Sequence, residues 1–139
     1  MNGPKKFRSL VLNRYVLDTH TIIWFLLDDR RLSDKAKKII HQTKALGSLI
    51  IPTIVLGELA VVVEKGRVKG DLELLIKSIK NDPRFIIMPF DIEAFENYLV
   101  QNKNLEIHDR IIVATAKILK AHLVSKDKII SKYYKKTIW

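Results

Sequence analysis

The sequence predicts a parallel α/β sheet covered by helices on both faces, and three observations carry the prediction. Strand-like and helical segments alternate along the chain. The strand-like segments, such as "GSLIIP" and "HLVS", are continuous apolar runs rather than apolar–polar alternations, as expected of strands buried on both faces. Helices, often in pairs, fill the stretches between the strands, which suits parallel crossovers.

In chain order, "RYVLD" reads as a short strand and "THTIIWFLL" as a short buried helix after it. "DDRRLSDKAKKIIHQTK" turns amphipathic; Ser33 or Asp34 starts that helix, with Ala36, Ile39 and Ile40 facing inward. "GSLIIP" is a buried strand closed by Pro52, and Thr53 is expected to cap "IVLGELAVVVEK", which Gly66 ends. Asp71 begins "LELLIKSIK", "RFIIMP" is a third strand, and Asp91 caps "DIEAFENYLVQN". "EIHDRIIVATAKILK" is the next helix and "AHLVS" a fourth strand. "KDKIISKYYKK" is a short helix or loop, and "TIW" adds a fifth, edge strand. The pattern leaves strand order open.

At 139 residues the chain has the length of one domain with a proper core, preceded by a basic extension over residues 1–14. Its composition, 47% hydrophobic and 29% charged, is that of a globular protein rather than a disordered one. The absence of cysteine excludes disulfides, thiolate metal sites and a cysteine nucleophile. No apolar run is long enough to span a bilayer, and the N-terminus lacks the apolar core of a secretory signal, so a cytoplasmic protein without membrane contact is expected. The net charge is +10, concentrated at Lys5, Lys6, Arg8 and Arg14 and again at Lys126, Lys128, Lys132, Lys135 and Lys136. Such a balance favours polyanions, although many basic proteins are basic for solubility alone.

Four acids stand out, each with an ordinary explanation beside a functional one. Asp18 follows the first strand and reads first as a helix cap. Glu58 has Ile54, Val55, Val61 and Val62 as helical neighbours, so an ionised carboxylate there needs a partner, either a salt bridge or a site. Asp109 opens a helix as a cap or first-turn acid, with Ile112 and Val113 directing it toward a buried stripe. Asp127 reads as a turn residue two positions beyond "HLVS". Taken together, Asp18 and Asp127 stand at or just beyond strand C-ends, with Glu58 and Asp109 expected in first helical turns. Parallel βα topology gathers such positions at one edge of the sheet. Four carboxylates in one pocket repel unless cations are present, and a ligand set without thiolates suits Mg2+ or Mn2+. Such a site best supports phosphodiester cleavage by metal-activated water.

The ordered set "VLDTHTIIWFLLDD", "IPTIVLGELA", "IHDRIIVATA" and "LVSKDK" resembles the PIN-domain ribonucleases, in particular the VapC-type toxins of toxin–antitoxin pairs. The resemblance runs from about Tyr15 to the C-terminus. It implies a three-layer α/β/α sandwich with a mostly parallel central sheet of four to five strands. It also implies Mg2+ or Mn2+ dependence, cleavage of single-stranded RNA, a cognate antitoxin protein and a homodimer. Carried over by position, the family's acidic quartet falls on Asp18, Glu58, Asp109 and Asp127, with Asp18 and Asp109 as the main metal ligands. Thr19 and Ser125 match its small polar positions. The last motif departs in its middle residue, "SKD", and the stretch "NLEIHD" before Asp109 is shorter than in many relatives.

Around this quartet, Arg110, Lys126 and Lys128 are candidate RNA contacts, and Tyr133 and Tyr134 are candidates for base stacking or for packing. His108 reads as a capping or surface histidine rather than a proton shuttle, and Trp24 and Phe25 as core. The competing reading is a non-catalytic basic α/β module that binds RNA or another protein, in which the four acids are only caps and salt bridges.

Overall fold

The computed structural model describes residues 14–139; Lys5, Lys6 and Arg8 of the expected N-terminal extension lie outside the described residues. Five strands form one sheet: β1 (Tyr15–Leu17), β2 (Leu49–Pro52), β3 (Phe85–Met88), β4 (His122–Val124) and β5 (Thr137–Ile138). Seven helices accompany them among the described residues: α1 (Thr19–Leu26), α2 (Asp34–Gln42), α3 (Thr53–Glu64), α4 (Leu72–Asn81), α5 (Ile92–Leu99), α6 (Ile107–Leu119) and α7 (Lys128–Tyr133). The strand order is β3-β2-β1-β4-β5, and every pairing is parallel. The sheet is therefore wholly parallel, with the five strands that the expected sandwich allows. Among the described residues no helix is long and apolar enough to cross a membrane.

The order positions the site. The chain winds outward from β1 through β2 to β3, then returns to lay β4 against the other side of β1. The winding reverses between β1 and β4, and a crevice opens beyond the carboxyl ends of two such strands. Register sets Leu17 beside Val124, so the residues that follow each of them, Asp18 and Ser125, emerge side by side. The strand residues Val16, Leu17, Leu49, Ile51, Leu123 and Val124 are fully buried, and Ile22, Ile40, Leu59 and Ile112 pack on them. An all-apolar strand at the middle of a sheet needs helices on both faces, and here it has them.

Local signals act mostly as expected. Ser33, Asp71 and Asp91 cap their helices through side-chain oxygens on the amides of Ala36, Leu74 and Ala94. Gly66 takes a φ of +67° after α3, and the amides of Gly66 and Arg67 bond back to Val63 and Val62. That paired closure satisfies carbonyls at the helix end and requires the left-handed conformation that glycine adopts freely.

Three expectations are corrected. Thr53 is not the cap of α3 but its first residue; Pro52 holds the cap position, and the Thr53 hydroxyl donates instead to the Met88 carbonyl at 3.0 Å. The strand runs into the helix with no intervening residue, so the threonine serves the neighbouring strand. Glu58 lies beyond the first turn of α3, whichever residue is taken as its cap. Finally, β3 is apolar but not doubly covered: as an edge strand it leaves Ile86 51% and Ile87 38% exposed.

Candidate active site

A cavity of about 680 Å³ lies beyond the strand ends, and Asp18, Glu58, Asp109 and Asp127 all line it. Four separate segments of chain thus deliver their acids to one place. Glu106, which sequence reading passed over, is a fifth carboxylate on the lining.

Asp18 is 7% exposed and caps α1. Its Oδ1 accepts from the Thr21 amide at 2.9 Å and from the Thr21 hydroxyl at 2.7 Å. The Thr21 hydroxyl also lies 2.8 Å from the Val124 carbonyl, so one proton is shared between β4 and the cap. Asp18 Oδ2 accepts from the Ser125 hydroxyl. Ser125 Oγ in turn accepts the Asp127 amide at 3.1 Å, which makes Ser125 the link between the first and last acids. Asp127 caps α7, accepting from the amides of Ile129 at 2.8 Å and Ile130 at 3.2 Å. Its role as a cap, rather than a bare turn residue, explains why α7 starts where it does.

Glu58 is less buried than its apolar neighbours imply, because Val61 on the same helix is 45% exposed. Its side chain retains 28% of its accessibility and has two partners. The Thr19 hydroxyl donates to Oε1 at 2.6 Å, and His108 Nδ1 stands 3.3 Å from Oε2. His108 is therefore neither a cap nor a free surface residue. A partner 50 positions away on another helix has no signature in local sequence.

Asp109 lies in the first turn of α6, behind Glu106 at the cap position. Among the described residues no donor bonds its carboxylate. Burial pushes its pKa up to about 6, and the negative charges of Asp127, Glu106, Glu58 and Asp18 push in the same direction. The crowding of acids inferred from sequence is thus expressed at Asp109. Among the described residues no three acidic or histidine side chains stand close enough to form a ready-made metal cage. The donor set still fits a hard cation: it consists of carboxylate oxygens, it carries excess negative charge, and Asp109 is held by no competing hydrogen bond.

The basic candidates divide. Lys126 and Lys128 line the cavity. Arg110 does not: its guanidinium lies 4.1 Å from the centre of the Tyr98 ring and donates to the Leu99 carbonyl at 3.2 Å, toward α5. One step along a helix rotates a side chain by about 100°, which separates Arg110 from Asp109. Tyr134 is buried at 7% with its hydroxyl on the Ala121 carbonyl at 2.5 Å, so it packs rather than stacks on bases. Tyr133 accepts from Asn104 at 3.2 Å, outside the cavity. The cavity's aromatic is instead Trp24, a core residue whose indole also faces the lining, with His20 against it.

The family model of the PIN domain matches residues 15–136. Among solved structures, the fold is similar to a chain of a toxin–antitoxin complex from Klebsiella pneumoniae, with TM-score 0.68, 20% identity, and 90% of this chain and 96% of that one covered. It is similar to a chain of VapBC2 from Rickettsia felis bound to a promoter DNA fragment, with TM-score 0.66, 20% identity and coverage of 89% and 95%. It is also similar to VapC20 from Mycobacterium tuberculosis, described as a toxin cleaving the sarcin–ricin loop, with TM-score 0.64, 16% identity and coverage of 85% and 93%. No curated protein matches the chain.

Proposed function

The chain belongs to the PIN-domain family, and from that premise we propose that it is a divalent-metal-dependent endoribonuclease, the toxin of a toxin–antitoxin pair. The observation that carries this reading is the convergence of Asp18, Glu58, Glu106, Asp109 and Asp127 on the lining of one cavity, and the upward shift of the Asp109 pKa is in keeping with that crowding. A protein gains nothing in stability by crowding like charges, and a cation relieves the repulsion.

Asp18 and Asp109 are the main ligands in this reading, with Glu58 and Asp127 completing the set around Mg2+ or Mn2+. When bound, the ion acidifies water and offsets charge on the phosphate oxygens. The protein's own groups orient the acids. The Ser125 hydroxyl donates to Asp18 and its oxygen accepts from the Asp127 amide, so it holds both acids. Thr19 and His108 hold the two oxygens of Glu58. Lys126 and Lys128 offer ammonium groups to the phosphates of an incoming strand.

The toxin assignment and a cognate antitoxin are supported by a structural neighbour described as a toxin–antitoxin complex, and a homodimer is part of the same proposal. The non-catalytic module keeps one observation in its favour, since Asp18 and Asp127 are true caps. Asp109 is not explained that way, because it caps nothing and repels its neighbours.

The test is direct. Single-stranded RNA is incubated with the protein in Mg2+ or Mn2+ and then in EDTA, beside Asp18→Asn and Asp109→Asn. Cleavage that needs metal and is lost in both variants supports the nuclease. Cleavage surviving both substitutions, or RNA binding without cleavage in any metal, refutes it.

A further inference from the structure

The acids are only part of the cavity lining. His20, Trp24, Lys126 and Lys128 line the same space and form a basic and aromatic cluster beside the carboxylates. Trp24 lies at its centre. The His20 ring stands 5.5 Å from the indole, the Lys126 ammonium 5.7 Å, and the Arg31 guanidinium 5.2 Å. Arg31 is already engaged with both oxygens of Asp29, at 3.1 and 2.8 Å. Lys126 is different: among the described residues it forms no ion pair within 4.0 Å, although acids line its cavity. Its backbone is fixed between Ser125, bonded to Asp18, and Asp127, bonded to Ser125. The indole is 7% exposed and so serves as a backing, while His20 is exposed in front of it.

We propose that this cluster is a binding subsite for single-stranded nucleic acid, in which the His20 ring stacks on a base and Lys126 holds the adjoining phosphate. Trp24 positions both groups. The chemistry follows from the spacing of unlike groups: a flat ring beside an unpaired ammonium matches the base-and-phosphate repeat of a single strand. An acidic peptide brings a ring only where an aromatic residue happens to adjoin an acid, whereas every nucleotide carries both a base and a phosphate. The choice of RNA as the strand rests on the nuclease reading; no group in the cluster reads a 2′-hydroxyl, so DNA of the same sequence binds the cluster alike.

The test measures binding of the full chain in EDTA, where no metal-dependent cleavage intervenes, using labelled single-stranded RNA and the matched DNA strand. His20→Ala and Lys126→Gln each weaken binding about five- to twentyfold. Lys126→Gln also lowers the slope of log affinity against log salt by about 0.7, whereas His20→Ala leaves the slope alone. In Trp139→Phe, Trp24 is the single remaining indole, and its emission changes on titration with either strand. Substituting Trp24→Phe retains a ring behind His20 and keeps most of the affinity, while Trp24→Leu loses it. Parental affinity in both His20→Ala and Lys126→Gln, or absence of binding by the parent, overturns the subsite. Absence of metal-dependent cleavage by a parent that binds through His20 and Lys126 overturns the nuclease reading and leaves the subsite standing.

Discussion

The Thr19 hydroxyl donates a 2.6 Å hydrogen bond to Glu58 Oε1 across 39 positions of sequence. The bond joins the start of α1 to the middle of α3 and gives a half-exposed carboxylate one orientation. Thr19→Val preserves shape and removes the donor. It is expected to lower stability by about 1 kcal/mol in urea denaturation and to slow RNA cleavage about tenfold, with Thr19→Ser restoring both. Parental cleavage in Thr19→Val means that this bond does not orient a working group.

Asp109 sets a pH dependence. Its folded pKa, pushed up to about 6, lies above its ordinary value of 3.8, so the folded state binds the proton more tightly than the unfolded one. The ionised form is therefore a destabilising feature at neutral pH, relieved as pH falls through 6. In EDTA, Asp109→Asn is expected to raise stability at pH 7.5 by about 1–2 kcal/mol, reduced from the full shift because the group is partly solvated. The gain shrinks as pH falls through 6 and is mostly gone at pH 3.5, below the ordinary value of 3.8, since the acid is then largely protonated in both states. Denaturant curves at the two pH values check it, and a gain that persists at pH 3.5 assigns the effect to packing instead.

A cation that binds the folded cavity stabilises the fold by mass action. At a hundred times its dissociation constant, Mn2+ is expected to add about 2.7 kcal/mol, seen as a rise in Tm. Asp109→Asn and Asp18→Asn reduce that rise sharply, although the first has the higher metal-free stability. Equal rises in all three proteins place the ion elsewhere.

Ser125 is a buried link, bonded to Asp18 and accepting the Asp127 amide. Ser125→Ala leaves that amide and the Asp18 oxygen short of a partner. Stability is expected to fall by about 1–3 kcal/mol, and the Mn2+ concentration for half-maximal cleavage to rise. A variant with unchanged metal requirement assigns Ser125 to stability alone.

Arg110 is expected to act in packing, not in RNA binding, since its guanidinium is stacked on Tyr98 and bonded to Leu99. Arg110→Gln should cost about 1 kcal/mol of stability while RNA affinity in EDTA stays within twofold of the parent. A tenfold loss of affinity would return Arg110 to the nucleic-acid surface.

Much of this was legible in the chain itself because the signals are local. Buried parallel strands are apolar throughout, so "GSLIIP" and "HLVS" announced themselves. Ser33, Asp71, Asp91 and Gly66 act within a few residues of where they stand, so their chemistry and their position coincide. Thr53 misled for the same reason: a threonine before a helix looks like a cap, but its hydroxyl is taken by β3, which lies 35 positions away.

The sequence by itself determined that a parallel α/β fold would carry acids at strand and helix ends, because periodicity and composition are properties of the chain. Only the tertiary structure decided which of them meet. Strand order is set by how apolar faces pack, not by any residue's neighbours in sequence, and it placed β4 beside β1. That pairing brings Ser125 to Asp18. The packed helices set His108 against Glu58, bring Glu106 into the cavity, and lay Lys126 over an indole. Arg110, one residue from Asp109, is carried out of the cavity by the turn of the helix. Contacts across such distances depend on where whole elements come to rest, and that is a property of the fold rather than of any motif.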